Sequence, residues 1–173
     1  MTRGVAVAVL VVLVLLVWGA MYAGWRRRGA RQVRGLALPP LPPTPADPGA
    51  ALTDDADGVY VSSTTAGNWL DRVTADGLGA RSAATMAVTS AGVTWLRQGA
   101  PDVFAAASAI VGARRADGIA GKVVPPHGVV VVTWRLGDAE LDTGFRPRTP
   151  GDGDRLVAAV ERLAAATPTG GIS

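Results

Sequence analysis

The 173-residue chain has no cysteine and one histidine, which excludes disulfides, thiolate metal sites, cysteine nucleophiles and any site needing two imidazoles. Its length suits one folded domain with additional segments, since two domains would each approach the lower size limit for an adequate core. The net charge of +3 is unevenly placed: five arginines crowd residues 26–34, whereas from residue 50 onward 11 basic residues face 13 acidic ones, a net −2 that removes the case for a nucleic-acid partner.

The first predicted element is a membrane anchor. Residues 5–25 carry no charge, and as a helix they would span about 31 Å, the thickness of a hydrocarbon core of roughly 30 Å. Eleven of residues 5–17 are valine or leucine, which favours insertion by about 3 to 7 kcal/mol. A cleaved signal peptide would need a small-residue cleavage site, but Met21 and Tyr22 interrupt that end and arginines follow. Trp18, Tyr22 and Trp25 form the aromatic belt at the interface. Arg3 precedes the span, and Arg26, Arg27, Arg28, Arg31 and Arg34 follow it, so the positive-inside rule puts the N-terminus outside and the bulk of the chain at the cytoplasmic face of the plasma membrane. The partition is therefore residues 1–27 as anchor with flanks, and 28–57 as a basic juxtamembrane segment with a proline-rich linker. Residues 58–168 form the folded domain, and 169–173 a disordered tail.

Six of the twelve prolines lie at positions 39–48. Proline fixes φ and removes a donor, so this stretch reads as a polyproline II spacer of roughly 30 Å rather than helix or central strand.

From Gly58 onward, short β-rich runs recur every eight to twelve residues between turn formers. Residues 58–65 alternate, and residues 82–98 read as a hairpin turning at Ser90–Ala91–Gly92. Residues 102–118 are alanine-rich but carry β-forming flanks and are assigned to strands. Residues 128–136, "GVVVVTWRL", form a β-branched run too short for an ordinary helix, hence a buried central strand. Gly137–Asp138 is the turn into "AELDTGFRP". There Leu141, Thr143 and Phe145 take one face, and Glu140, Asp142 and Arg146 take the other, which is expected to be solvated. After Pro150 the period changes: Leu156, Val160 and Leu163 recur at helical spacing behind Asp152 and Asp154, giving an amphipathic helix of about three turns.

An anchor, about seven short strands and a terminal helix that closes a bent antiparallel sheet describe a mainly-β, pleckstrin-homology-like (PH-like) architecture. With that order of elements, the run "VVVVTWRLGDAELDTGFR" and its terminal helix resemble the actinobacterial single-pass membrane proteins with a PH-like domain, some of them labelled export or transporter proteins. The anchor, the proline-rich linker and the lack of a catalytic constellation lead to the expectation of a non-enzymatic module that tethers or recruits a protein partner at the lipid bilayer. An accessory subunit of a transport or export complex is the alternative.

No catalytic constellation emerges. Asp138, Glu140 and Asp142 lie on or beside a face expected to be wet, where acid and base roles have no source of pKa splitting. His127 sits in a turn. The hydroxyls of residues 62–65 have no base at hand, and no phosphate loop or metal-ligand spacing occurs, so no cofactor is expected. The candidate contacts for a ligand or partner are Arg72, Arg114, Arg115 and Lys122, basic residues in or beside glycine-containing loops. The loop after the first strand offers one basic residue, unlike the basic first loop with which PH domains hold phosphoinositides.

Overall fold

The chain divides into two compact units, Met1–Ala37 and Leu38–Ser173. A computed structural model describes residues 38–166 of the second unit, except Trp69, residues 120–121 and residues 124–127. The expected anchor with its aromatic belt and arginines, His127, the side chain of Lys122 and the C-terminal tail lie outside the described residues. Among those described, no helix is long and apolar enough to cross a membrane.

Among the described residues, nine strands and one α-helix follow in order: β1 (Ala56–Thr65), β2 (Ser82–Thr89), β3 (Gly92–Arg97), β4 (Val103–Ala106), β5 (Ile110–Ala116), β6 (Gly118–Ile119), β7 (Lys122–Val123), β8 (Val129–Leu136), β9 (Ala139–Pro147) and α1 (Asp152–Ala166). Seven strands make one antiparallel sheet in the order β4-β3-β2-β1-β9-β8-β5, while β6 and β7 pair as a separate ribbon. Strand β1 holds the two halves together. Its first half pairs with β2, and nearly its whole length pairs with β9. Residues 102–118 do form strands, joined by a 3-10 turn at Ala107–Ala109.

Both hairpin turns lie where the glycines predict them. Leu136 pairs with Ala139, leaving Gly137–Asp138 as a two-residue loop with Gly137 at φ 61°, the sign a II′ turn requires at its first position. Gly92 opens β3 at φ 152°, and a Cβ there would collide with the Ala105 carbonyl and the Phe104 ring.

Strand β8 explains its own sequence. Val130, Val132, Trp134 and Leu136 enter the main core with Tyr60, Trp95, Phe145 and the helix residues Leu156, Val160 and Leu163. Val129 and Val131 point the other way, into a second cluster with Val61 and Ile119 of the β6–β7 ribbon. Over Val129–Val132 the strand is buried on both faces and has no polar position to alternate, and Thr133 and Arg135 come only where the outer face is less covered.

The helix runs for 15 residues, longer than its apolar stripe alone suggests, because Asp152 and Asp154 occupy its first turn, where carboxylates offset the helix dipole. It packs chiefly on β5. Arg155 binds the Thr53 hydroxyl at 2.7 Å and the Asp54 carbonyl at 2.6 Å, and Arg162 reaches the Leu52 carbonyl at 3.2 Å, so the helix also ties down the chain that enters β1.

The packed domain begins earlier than Gly58. Leu38, Leu41 and Leu52 pack against the main core, and Pro39 lies beside Gly137. Ala51 bridges to Thr89, and Pro48 and Ala50 bond to the Ala91 and Ser90 backbone at the β2–β3 turn. Prolines 39–48 thus belong to a strap lying on the domain rather than to a stand-off spacer. The reason is the leucines set among them, whose burial a free polyproline rod would forgo.

Replacing Leu156, which is fully buried, with alanine should lower stability by about 2–5 kcal/mol. The same change at Leu70, 65% exposed, should stay within about 0.5 kcal/mol. Urea unfolding of the two variants measures the contrast.

Candidate functional site

The most organised polar feature is inside the barrel. Strand β1 carries a bulge between Tyr60 and Ser62, so Tyr60 and Ser63, three residues apart, both face inward. Four side chains then join in sequence: Trp134 Nε1 to Thr143 Oγ1 at 2.8 Å, Thr143 Oγ1 to Ser63 Oγ at 2.7 Å, Ser63 Oγ to the Tyr60 hydroxyl at 2.7 Å, and that hydroxyl to the Leu78 carbonyl at 3.0 Å. The ends fix the direction. An indole N–H only donates and a carbonyl only accepts, and each hydroxyl between them has one proton to give. Protons therefore point along Trp134→Thr143→Ser63→Tyr60→Leu78.

Arg97 closes this end of the core. Its guanidinium carbon stands 4.1 Å from the centre of the Tyr60 ring, and its nitrogens donate to the Ser82 hydroxyl and the carbonyls of Gly77, Ala80 and Pro101. Burial lowers its pKa, against the attraction of Tyr60 and Asp102. Burial likewise pushes the Tyr60 hydroxyl up to about 12, against smaller contributions from the Ser63 hydrogen bond and the Arg97 charge.

The basic residues singled out from the sequence are not brought together. Arg114 and Arg115 are neighbours on β5 and so face opposite sides of the sheet: Arg114 is opposite Val131 of the second cluster, Arg115 opposite Val130 of the main core. Arg115 lies against Gly153 at the helix start and pairs with Asp154 at 3.2 Å. Arg114 pairs with Asp142 at 2.9 Å. Arg72 sits in the loop after β1, where its backbone bridges to Thr64 and its side chain covers Gly79. Lys122 lies on the β6–β7 ribbon.

Asp142 departs from expectation. Alternation along β9 predicts a wet face for it with Glu140 and Arg146, yet it is only 4% exposed. The Thr133 hydroxyl donates to it at 2.6 Å and Arg114 reaches over it from β5, so the carboxylate is solvated by protein donors instead of water. Glu140 keeps the expected character: it is about half exposed and pairs directly across the strands with Arg135 at 3.0 Å. The two carboxylates therefore have separate partners, and neither is paired with the other for acid and base work. Among the described residues no group of three acidic or histidine side chains is placed to hold a metal ion.

The residues that sequence reasoning missed lie on the outer face of β2, β3 and β4. The outward positions there are alanine, threonine, glycine, one leucine and one phenylalanine, with no charged residue. Period-2 reading of each strand contained that signal, but only the pairing register joins the strands into one surface. A groove of about 350 Å³ lies beside the strap, lined by Pro40–Thr44, Asp76, Pro101 and Asp102.

With this geometry the comparisons agree. The profile of the bacterial PH domain-like family matches residues 38–161, and the chain belongs to that family. Its matched region starts at the strap, as the packing does. Among solved structures, a chain of the 8S snRNP assembly intermediate superposes with a TM-score of 0.51 at 10% identity, covering 77% of this chain and 95% of that one, a likeness of fold. No curated protein matches the sequence. A PH-like domain is a scaffold for interaction, on which many unrelated partners are received.

Two outcomes test the buried chain. Thr143→Val keeps the shape but strands the Trp134 Nε1–H, and should cost about 1–3 kcal/mol in urea unfolding. At alkaline pH, an unfolded tyrosine loses its proton near 10, whereas native Tyr60 holds it until about 12. The unfolded state then binds fewer protons, so stability falls as pH rises from 10 to 12, by about 3 kcal/mol in all. Tyr60→Phe should flatten that slope, and difference absorbance between the two proteins should show a phenolate transition near 12.

Proposed function

We propose that this protein is a non-enzymatic, membrane-anchored recruiting module, its PH-like domain presented at the cytoplasmic face by the apolar span Val5–Trp25 and receiving a protein partner there. One observation carries the reading: a bacterial PH domain-like region at 38–161 preceded by 21 uncharged residues and then by five arginines. The charge asymmetry across that span supports the inward orientation, and the arginines add attraction to anionic headgroups.

The strap refines the geometry of the proposal. The domain takes up the chain from Leu38, so twelve residues, 26–37, separate it from the span, a reach of at most about 40 Å fully extended. A partner would be captured close to the bilayer. Domains of this fold commonly bind proteins or lipids, and the split placement of Arg114 and Arg115 favours a protein over a phosphoinositide headgroup held in a basic loop.

A labelling enzyme fused after Ser173 in the native host should biotinylate cytoplasmic proteins, with one dominant neighbour. Deleting residues 5–25 should move the protein from the membrane to the soluble fraction. Labelling confined to the outer side would overturn the orientation. Loss of function on exchanging the span for an unrelated one of equal length would instead favour an accessory subunit that packs through Gly19, Ala20 and Gly24.

A further inference from the structure

The strap is held in two different ways along its length. From Pro48 onward it is bonded to the domain: the Ala91 N–H donates to the Pro48 carbonyl at 3.3 Å, the Ser90 N–H to the Ala50 carbonyl at 2.9 Å and the Leu52 N–H to the Val88 carbonyl at 2.9 Å. The Ser90 hydroxyl accepts the Ala50 N–H at 3.1 Å, and Arg155 holds Thr53 and Asp54 from the helix. Leu38–Ala46 has nothing comparable. No residue of that stretch makes a hydrogen bond or ion pair with another described residue. What attaches it is apolar contact, chiefly that of Leu38 and Leu41, both half-buried, with the main core. The groove of about 350 Å³ runs between Pro40–Thr44 and the loops at Asp76, Pro101 and Asp102, so this flank of the strap lacks the close packing of an interior.

The change from one kind of attachment to the other falls at a turn. The chain bends at Ala46, the Asp47 carboxylate accepts the Gly49 N–H at 2.9 Å, and Gly49 takes φ 73° against Ser90. Everything N-terminal to this turn can leave the domain without breaking a hydrogen bond. Prolines keep the return equally easy. Pro39, Pro40, Pro42, Pro43 and Pro45 fix φ in the free chain as well as in the docked one, so docking removes little backbone freedom. The two states differ mainly by the burial of two leucines that are half-exposed even when docked. Once released, the stretch stays extended, because polyproline II needs no internal hydrogen bonds.

We propose that Leu38–Asp47 is a detachable length of tether, which docks on the domain or peels from it as a unit while the domain stays folded, and so sets how far the domain reaches from the bilayer. The inference rests on the reading of the protein as a membrane-anchored module and adds a control on its range. With the strap docked, residues 26–37 alone join span and domain, a reach of at most about 40 Å. Peeling adds residues 38–47 at about 3.1 Å each, for a total of roughly 70 Å. The docked domain meets partners at the bilayer surface, and the peeled one reaches partners beyond it. The turn at Asp47–Gly49 and the bonds behind it stop the release before β1.

The test uses the full chain in nanodiscs of zwitterionic lipid. Because the chain has no cysteine, two introduced ones take spin labels without background. Thr44→Cys with Asp138→Cys measures strap against domain, and Gln98→Cys with Asp138→Cys lies wholly within the domain; all three sites are exposed. As urea rises, the first pair should pass from a narrow to a longer, broad distance distribution at a concentration that leaves the second pair narrow. Leu38→Asp with Leu41→Asp should produce the same change without urea, and energy transfer from a dye at Asp138→Cys to acceptor lipid should then fall by about half. Two pairs that broaden together, or an aspartate variant that broadens both or neither, overturn detachment. Undiminished transfer in a variant whose strap has peeled overturns the control of reach. A chain that does not enter nanodiscs sinks the anchored module and the reach with it, whereas a chain that enters and whose pairs broaden together leaves the module standing with a fixed strap.

Discussion

The directed hydrogen-bond chain from Trp134 to the Leu78 carbonyl is the constraint around which the domain is arranged. It crosses β8, β9 and β1, and it ends on the loop after β1. Three hydroxyls and an indole cannot be buried separately without each losing its water, at about 1–3 kcal/mol apiece. Linked end to end, they satisfy one another and admit one proton direction. That requirement fixes the register of β1 against β9, because only the bulge at Val61 brings Ser63 and Tyr60 to the same side.

Arg97 extends the same constraint into the loops. A buried guanidinium is costly unless its donors are matched, and here the matching groups are carbonyls of Gly77, Ala80 and Pro101. The segment between β1 and β2 and the turn between β3 and β4 are thereby fixed to the barrel end that Tyr60 occupies. Asp76, held at φ 49° in the left-handed region, belongs to this corner. Its strain is of the kind that persists where the surroundings over-determine the backbone. The loop is shaped by what it must offer Arg97.

How much of this was legible in the sequence follows from the range over which each signal acts. Val129–Val132 read as the heart of a central strand because burial on both faces leaves a continuous apolar run, and Leu156, Val160 and Leu163 read as a helix because their spacing is local. Asp142 was misplaced because alternation along β9 gives the face but not what covers it: Thr133 and Arg114 come from two other strands. The bulge at Val61 leaves no mark in a run that alternates acceptably either way. The strap reads locally as a spacer because six prolines outweigh three leucines in any local count, while the burial of Leu38, Leu41 and Leu52 depends on a core formed by residues far along the chain. Arg114 and Arg115 looked like one basic patch for the same reason, since adjacency in a strand means opposite faces.

The outer sheet surface shows the same logic. Where β8 and β9 needed cover, the chain supplied a ribbon and placed glycine at position 144 to admit Ile119. Over β2, β3 and β4 it kept lysine, glutamate and aspartate out of every outward position, and there Thr89, Thr94 and Phe104 are themselves buried. Exposed strands normally carry such charges, because they solubilise the surface and prevent unintended association. Their exclusion across three adjacent strands fits the burial of those positions, and Leu96, 44% exposed, stands beside them as a single surface leucine. Arg146 and Arg148 stand exposed at the end of β9, whereas Arg114, Arg115, Arg135 and Arg155 are held in ion pairs that tie strands, turn and helix together.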